Sequence, residues 1–206
     1  PTYGDVVLWD DFGRATFRGL IGQATYQRAG TRANLAYTLG WYRADFDGNL
    51  AAAFPFTSSY QMQPTSGDER HRVVLSGLTR TPLGFTASAI ATVASPRPVA
   101  VTDGRDLNAN NVFFDDFPGG QRTVRLRNVW PNWYRTVDVR LARPIVAAGR
   151  ARRVGSLEVF NLFNSNNEAA FNGRQFNAAG TALSAYLTPS SAFAARQAQL
   201  GVRAEY

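Results

Sequence analysis

The segment Arg196–Tyr206, RQAQLGVRAEY, decides how the rest of the chain is read. Ala198, Leu200, Val202, Ala204 and Tyr206 fall on alternate positions, with Gln197, Gln199, Arg203 and Glu205 between them. A period of two belongs to a β-strand, whose side chains point to opposite faces in turn, so this strand has one aliphatic and one polar face. The same period recurs upstream. Leu35, Tyr37, Leu39 and Trp41 alternate with Asn34, Ala36, Thr38 and Gly40, and Val137, Val139 and Leu141 alternate with Asp138, Arg140 and Ala142.

Turn chemistry groups the strands into hairpins. Thr16–Arg28 and Ala33–Trp41 are separated by Ala29-Gly30-Thr31. Arg70–Ala94 folds at Thr81-Pro82-Leu83-Gly84, and Trp133–Phe163 folds at Ala147-Ala148-Gly149-Arg150. Glycine tolerates positive φ and proline presets one turn dihedral, which makes these the breaks. Between the hairpins lie stretches rich in Gly, Asn, Asp, Pro and Ser, at Ala44–Glu69, Ser95–Asn132 and Asn164–Ala195. Loops of that length are unusual in a compact soluble domain. Short turns at one end of the strands and long loops at the other are the pattern of an outer-membrane barrel, with short periplasmic turns and long extracellular loops. The expected fold is all-β, a portion of an antiparallel transmembrane β-barrel with about seven strands and part of an eighth at Asp5–Trp9. Residues 1–206 read as part of a single barrel domain. Trp41, Tyr42, Trp130, Trp133, Tyr134 and Tyr206, near strand ends, fit interfacial aromatic girdles. A soluble β-sandwich that stacks sugars on its aromatics is the competing architecture.

Composition narrows the function. The 206 residues contain no cysteine, which excludes a disulfide framework, a thiolate metal site and a cysteine nucleophile. No run reaches the roughly 18 consecutive apolar residues of a spanning helix. The basic side of the net charge of +7 is entirely arginine, yet the arginines are scattered without a dense patch or motif, so no nucleic-acid partner is expected. His71 is the only histidine, Ser76 lies in a strand-like segment and no G-x-S-x-G occurs. No enzymatic activity is expected, and His71 is assigned a structural place at a strand entrance. The pairs Asp10-Asp11, Asp68-Glu69 and Asp115-Asp116 read as solvated loop charge. Asp103, Asp106, Asn108 and Asn110 resemble the opening of a calcium loop, although the turn glycine and the distal glutamate do not follow. Against calcium stands an Asx-rich loop held by its own turns. No other cofactor is expected. Arg72, Arg140 and Arg203 are expected on the inner face, where they could attract anionic ligands, although pairing with residues such as Asp138, Glu158 and Glu205 across neighbouring strands is the commoner role.

A set of strings runs in order along nearly the whole chain: FRGL at Phe17–Leu20, LAYTLG at Leu35–Gly40, GDERHRVVLSGL at Gly67–Leu78 followed by TPLG, VDVRLARP at Val137–Pro144, EVFNLFNSNN at Glu158–Asn167, and QAQLGVRAEY at Gln197–Tyr206. Together they resemble the C-terminal barrel strands of TonB-dependent outer-membrane receptors, in particular the Oar-like type that carries a carboxypeptidase-regulatory-like domain. The resemblance implies a barrel of about 22 strands, of which this chain would supply roughly the last third. It also implies a plug and a segment contacting the TonB energy-coupling complex, both upstream of Pro1; with no leader peptide at its start, the chain is expected to be a fragment of a longer protein. The implied function is energy-coupled uptake of a scarce small ligand across the bacterial outer membrane. Outer-membrane lipid would surround the barrel, and the barrel assembly machinery would read the last strand through Leu200, Val202, Ala204 and Tyr206. A structural or adhesive outer-membrane barrel without active transport is the alternative.

Overall fold

The alternating segments become strands of unusual length. In the computed structural model, the described residues are 14–45, 62–107, 109, 111, 113–114, 116–126, 132–148 and 151–205, with only the backbone described at 146–148, 151–152 and 205. Seven long strands dominate: β1 (Ala15–Arg28), β2 (Thr31–Ala44), β4 (His71–Arg80), β5 (Thr86–Ala94), β8 (Tyr134–Ala148), β9 (Ala151–Phe160) and β12 (Gln197–Glu205). They form an antiparallel meander in the order β1-β2-β4-β5-β8-β9-β12, and a short β3 (Gln63–Pro64) adds to the end of β2. β1 and β2 run for 14 residues and β8 for 15, beyond the roughly 3–10 residues common in globular sheets. The expected all-β, antiparallel class holds, and no helix among the described residues is long and apolar enough to cross a membrane.

The hairpins fall where the turn residues put them. Ala29 and Gly30 both adopt positive φ, 43° and 81°, and Arg28 pairs with Thr31, so the β1–β2 turn has two residues in the form that matches strand twist. Between β4 and β5, the Gly84 amide donates to the Thr81 carbonyl at 3.1 Å, and the Thr81 amide donates to the Phe85 carbonyl at 2.8 Å. Ala148 pairs with Ala151, leaving residues 149 and 150 as the β8–β9 turn, outside the described residues. The strand expected at Asp5–Trp9 also lies outside them. The β8–β9 register shifts between Pro144 and Val146, which fits proline's confinement to bulges and edges.

Register fixes the faces. Residues paired across strands share a face, so Leu35, Leu75, Ala91 and Val137 form one row, and Leu141, Leu157 and Leu200 another on the same side. Val139, Val159 and Ala198 lie between these rows. The opposite face carries Asn34 and Ser76, Thr92 and Thr136, and Arg140, Glu158 and Gln199. The described residues lay no second sheet over the apolar face: Leu20, Leu75, Leu157 and Leu200 are all exposed, Leu200 at 84%.

The tightest packing sits at the long-loop end of the sheet, within the loops and the strand ends they join. Ala44, Ala94, Val99 and Val101 are buried there with many polar groups, among them Gln63, Asp68, Asp103, Arg122, Asn161 and Asn167. The three long stretches expected as irregular loops carry short strands: β3 in the first, β6 (Pro98–Ala100) and β7 (Thr123–Arg125) paired in the second, β10 (Glu168–Phe171) and β11 (Pro189–Ala192) paired in the third. Segments of two to four residues are too short for a period to be read, and their pairing is set by tertiary hydrogen bonds.

Candidate functional site

The long-loop end is built on buried polar clamps. Arg122, 7% exposed, donates from its guanidinium to the carbonyls of Ala44 and Asp45, and so ties the second loop to the end of β2. Its amide donates to Gln63 Oε1 at 3.0 Å, and Gln63 Nε2 donates to the Gly120 carbonyl at 2.9 Å. Asp68, 1% exposed, accepts the Tyr42 amide at 2.9 Å on Oδ1 and the guanidinium groups of Arg70 and Arg125 on Oδ2. Burying polar atoms is costly unless such bonds replace water, so these bonds fix the loops in one arrangement.

The asparagine-rich string Glu158–Asn167 has a specific geometry. Asn161 turns the chain at φ 50°, its amide donates to Asp138 Oδ1 at 2.8 Å, and its side-chain amide donates to the carbonyls of Ser165 and Ala194. Asn167 Oδ1 accepts the Arg135 amide and its Nδ2 donates to the Arg135 carbonyl, both at 2.8 Å. The side chain thereby imitates a paired strand residue and continues the ladder along the start of β8, past the end of β9.

Above the polar face, these clamps frame a cleft of about 530 Å³, whose lining includes Glu69, Arg72, Arg97, Tyr134, Glu168 and Phe193. Glu69 accepts from Arg72 at 3.1 Å and from Arg97 at 3.1 Å, so both signs of charge are fixed at its wall. Tyr134 and Phe193 meet edge to face with ring centres 5.1 Å apart. Charged groups with an aromatic corner suit a polar ligand of moderate size.

The expected site residues distribute unevenly. Arg140 pairs with Glu158 at 2.8 Å directly across β8 and β9, as expected, and Glu158 also accepts from Gln199 at 2.6 Å. Arg72 instead turns to Glu69, and Asp138 is occupied by Thr136 and the Asn161 amide. The Glu205 side chain is outside the described residues, while Arg203 sits opposite Val154 on the polar face. Leu200, Val202 and Ala204 share the apolar face; Tyr206 is outside the described residues. Among the expected girdle aromatics, Trp41 is on the apolar face and Trp133 stacks on His71 of that face, whereas Tyr42 and Tyr134 register with the polar face, and Trp130 lies outside the described residues. His71 accepts or donates a 2.9 Å hydrogen bond with Tyr37, a structural contact, and Ser76 faces Asn34 and Ile90 far from it.

For the calcium loop, Asn108 and Asn110 lie outside the described residues, as do Asp10, Asp11 and Asp115. Asp103 is buried and Arg105 takes both its oxygens, at 2.6 and 3.0 Å. That guanidinium holds the Asp103 carboxyl below the usual carboxylate range, against the opposing effect of burial. Asp106 accepts the Asn111 amide at 2.8 Å. No group of three or more His, Asp or Glu side chains able to hold a metal ion occurs among the described residues. Burial raises the pKa of Tyr186, which keeps its hydroxyl neutral.

No family model matches the chain, and no curated protein or solved structure matches it.

Proposed function

We propose that the sheet is a stretch of outer-membrane β-barrel wall from an energy-coupled transport receptor, with its apolar face toward lipid and its polar face toward the lumen. One observation carries this reading: the register across seven strands separates a continuous exposed face, mostly aliphatic between its ends, from one that holds most of the sheet's polar groups together with Phe17, Ile21, Leu78 and Ile90. A soluble sheet would bury that face against a second layer about 10 Å away. Turns of two to five residues at one end and elaborated loops at the other support the same orientation, loops outward. The cleft at the loop end opens over the polar face, where a ligand entering a lumen would pass, and this favours a receptor over a purely structural or adhesive barrel. In this reading the energy-coupling complex acts through a plug region outside the chain, and the barrel assembly machinery inserts the strands.

Uptake of ligand by the full-length protein in cells, with and without a membrane energiser, tests the function. Accumulation that stops when the proton gradient is collapsed is expected. Surface adhesion without accumulation would replace transport by the adhesive role, and a detergent-free monomer that unfolds cooperatively would remove the membrane reading.

A further inference from the structure

Charge on the apolar face is confined to its ends and has one sign. By register its charged residues are Arg18, Arg43 and Arg135 toward the long loops and Arg28, Arg143 and Arg153 toward the short turns, with no carboxylate among the described residues of that face. The polar face, by contrast, mixes Asp138 and Glu158 with Arg140. Ten residues separate Arg18 from Arg28. At about 3.3 Å per residue and a tilt of about 40°, that spacing projects to roughly 25 Å, the height of a barrel's apolar band.

At the long-loop end, beside His71 of this face, lies a cavity of about 240 Å³ lined by Arg70, His71, Ser95, Pro96, Arg125 and Leu126, of which Ser95, Pro96 and Leu126 also line the cleft over the polar face. His71 belongs to the apolar face and stacks with Tyr37 and Trp133, and the Arg70 guanidinium lies 4.9 Å from the ring centre of Trp41 on that face. Arg70 and Arg125 both donate to Asp68 Oδ2, so two cations share one carboxylate and leave net positive charge at the cavity wall. Glu69, the neighbouring acid, pairs with Arg72 and Arg97 and does not line this cavity. The Nε of Arg70 is buried and has no acceptor among the described residues. Two guanidinium forks beside a cavity without a carboxylate match the oxygens of a phosphate group.

We propose that this cavity binds the phosphate of a membrane lipid whose acyl chains lie along the adjoining aliphatic face, in register with the arginine rim. The proposal rests on the outer-membrane reading and adds a headgroup specificity to it. The full chain is presented with vesicles of phosphatidylcholine alone and vesicles containing phosphatidic acid, and binding is read by co-sedimentation and by the fluorescence of its tryptophans. Preference for the phosphatidic acid vesicles is expected, weakened by salt and reduced roughly tenfold by Arg125→Gln, the loss of about one charge-assisted bond. Leu126→Trp, which fills the cavity and leaves the Asp68 clamp intact, should reduce it as well; this second variant decides the matter if Arg125→Gln fails to fold. Insertion into both vesicles without preference, or a preference unchanged by both variants, would overturn the phosphate site and leave the barrel reading standing. Failure to enter either vesicle would instead overturn the barrel reading. Inorganic phosphate that abolishes the preference at concentrations equal to the lipid's would assign the site to a free anion, and so would overturn the lipid assignment.

Discussion

Leu75 and Ser76 are adjacent on β4 and point to opposite faces, so arginine at each position separates a lipid-facing wall from a soluble sheet. Leu75 sits in the row of Leu35, Ala91 and Val137, 48% exposed and midway between His71 at one rim and Thr79 near the other. Ser76 lies between Asn34 and Ile90 on the polar face. If Leu75 faces hydrocarbon near the bilayer midplane, Leu75→Arg costs about 2–4 kcal/mol, a factor of roughly 30 to 700 in the folding equilibrium. In water the same change on an exposed surface stays within about 0.5 kcal/mol. Ser76→Arg enters a polar environment in either case and should stay near that smaller figure. The measurement is denaturant titration of the chain folded in phosphatidylcholine vesicles, followed by tryptophan emission and by heat-modifiable mobility. A large loss at Leu75 with a small one at Ser76 is the expected result. Equal shifts at the two positions would refute the assignment of faces to lipid and water.

Other outcomes follow from the loop end. Asn167→Ala removes both side-chain bonds to the Arg135 backbone in a buried position and should cost about 1–3 kcal/mol, seen as faster amide exchange at Arg135; unchanged exchange would show that the ladder extension contributes nothing. Because Arg105 lowers the Asp103 pKa, their pairing stabilises the loop above the ordinary carboxylate range of about 3.9 and is lost as pH falls through the lower folded value. Amide protection around residues 103–105 should therefore persist at pH 5 and fail only in stronger acid, a dependence that Asp103→Asn should abolish. Gly104 adopts φ 88°, and a Cβ there would overlap the Phe176 carbonyl, so Gly104→Ala should cost at least about 1 kcal/mol and expose Arg105 and Arg174 to trypsin.

The faces were legible in the sequence because alternation is itself the signal: Leu200 and Val202 against Gln199 and Arg203 need only the period of two to be sorted. The polar clamps were not. Arg122 meets Ala44 and Asp45, and Arg125 meets Asp68, across 57 to 78 residues of chain, and no local pattern announces a bond of that span. Asn161 and Asn167 stood out in the sequence only through a familiar string, while their physical task, bonding backbone groups at strand ends, becomes visible once Arg135 and Asp138 are placed beside them. The pairing of Arg72 was misjudged for a related reason. Its cross-strand neighbours are Thr38 and Ala94, neither of them acidic, and it pairs instead with Glu69, just before its own strand.

If the sheet is barrel wall, as proposed, its topology constrains how the wall completes itself. A meander of seven antiparallel strands leaves its first and last, β1 and β12, running in the same direction. Joining them directly would create a parallel seam, and every other neighbouring pair in the sheet is antiparallel. Leaving them unjoined in hydrocarbon exposes the outward backbone groups of two long edges, at several kcal/mol for each unsatisfied group. An all-antiparallel closure requires an odd number of further strands between β12 and β1, satisfied by one, or by the roughly 15 that a barrel of about 22 strands would add. The amides of β1 that do not bond to β2 report on this. In a membrane-embedded full-length protein they should be as protected from exchange as those that do, whereas a free edge would show protection at alternate residues only. Cysteines at Gly22 and Val202 should fail to form a disulfide, since intervening strands hold them far beyond the roughly 7 Å limit on Cα separation. Efficient cross-linking of that pair within one chain would place β1 directly against β12 and overturn the requirement for further strands.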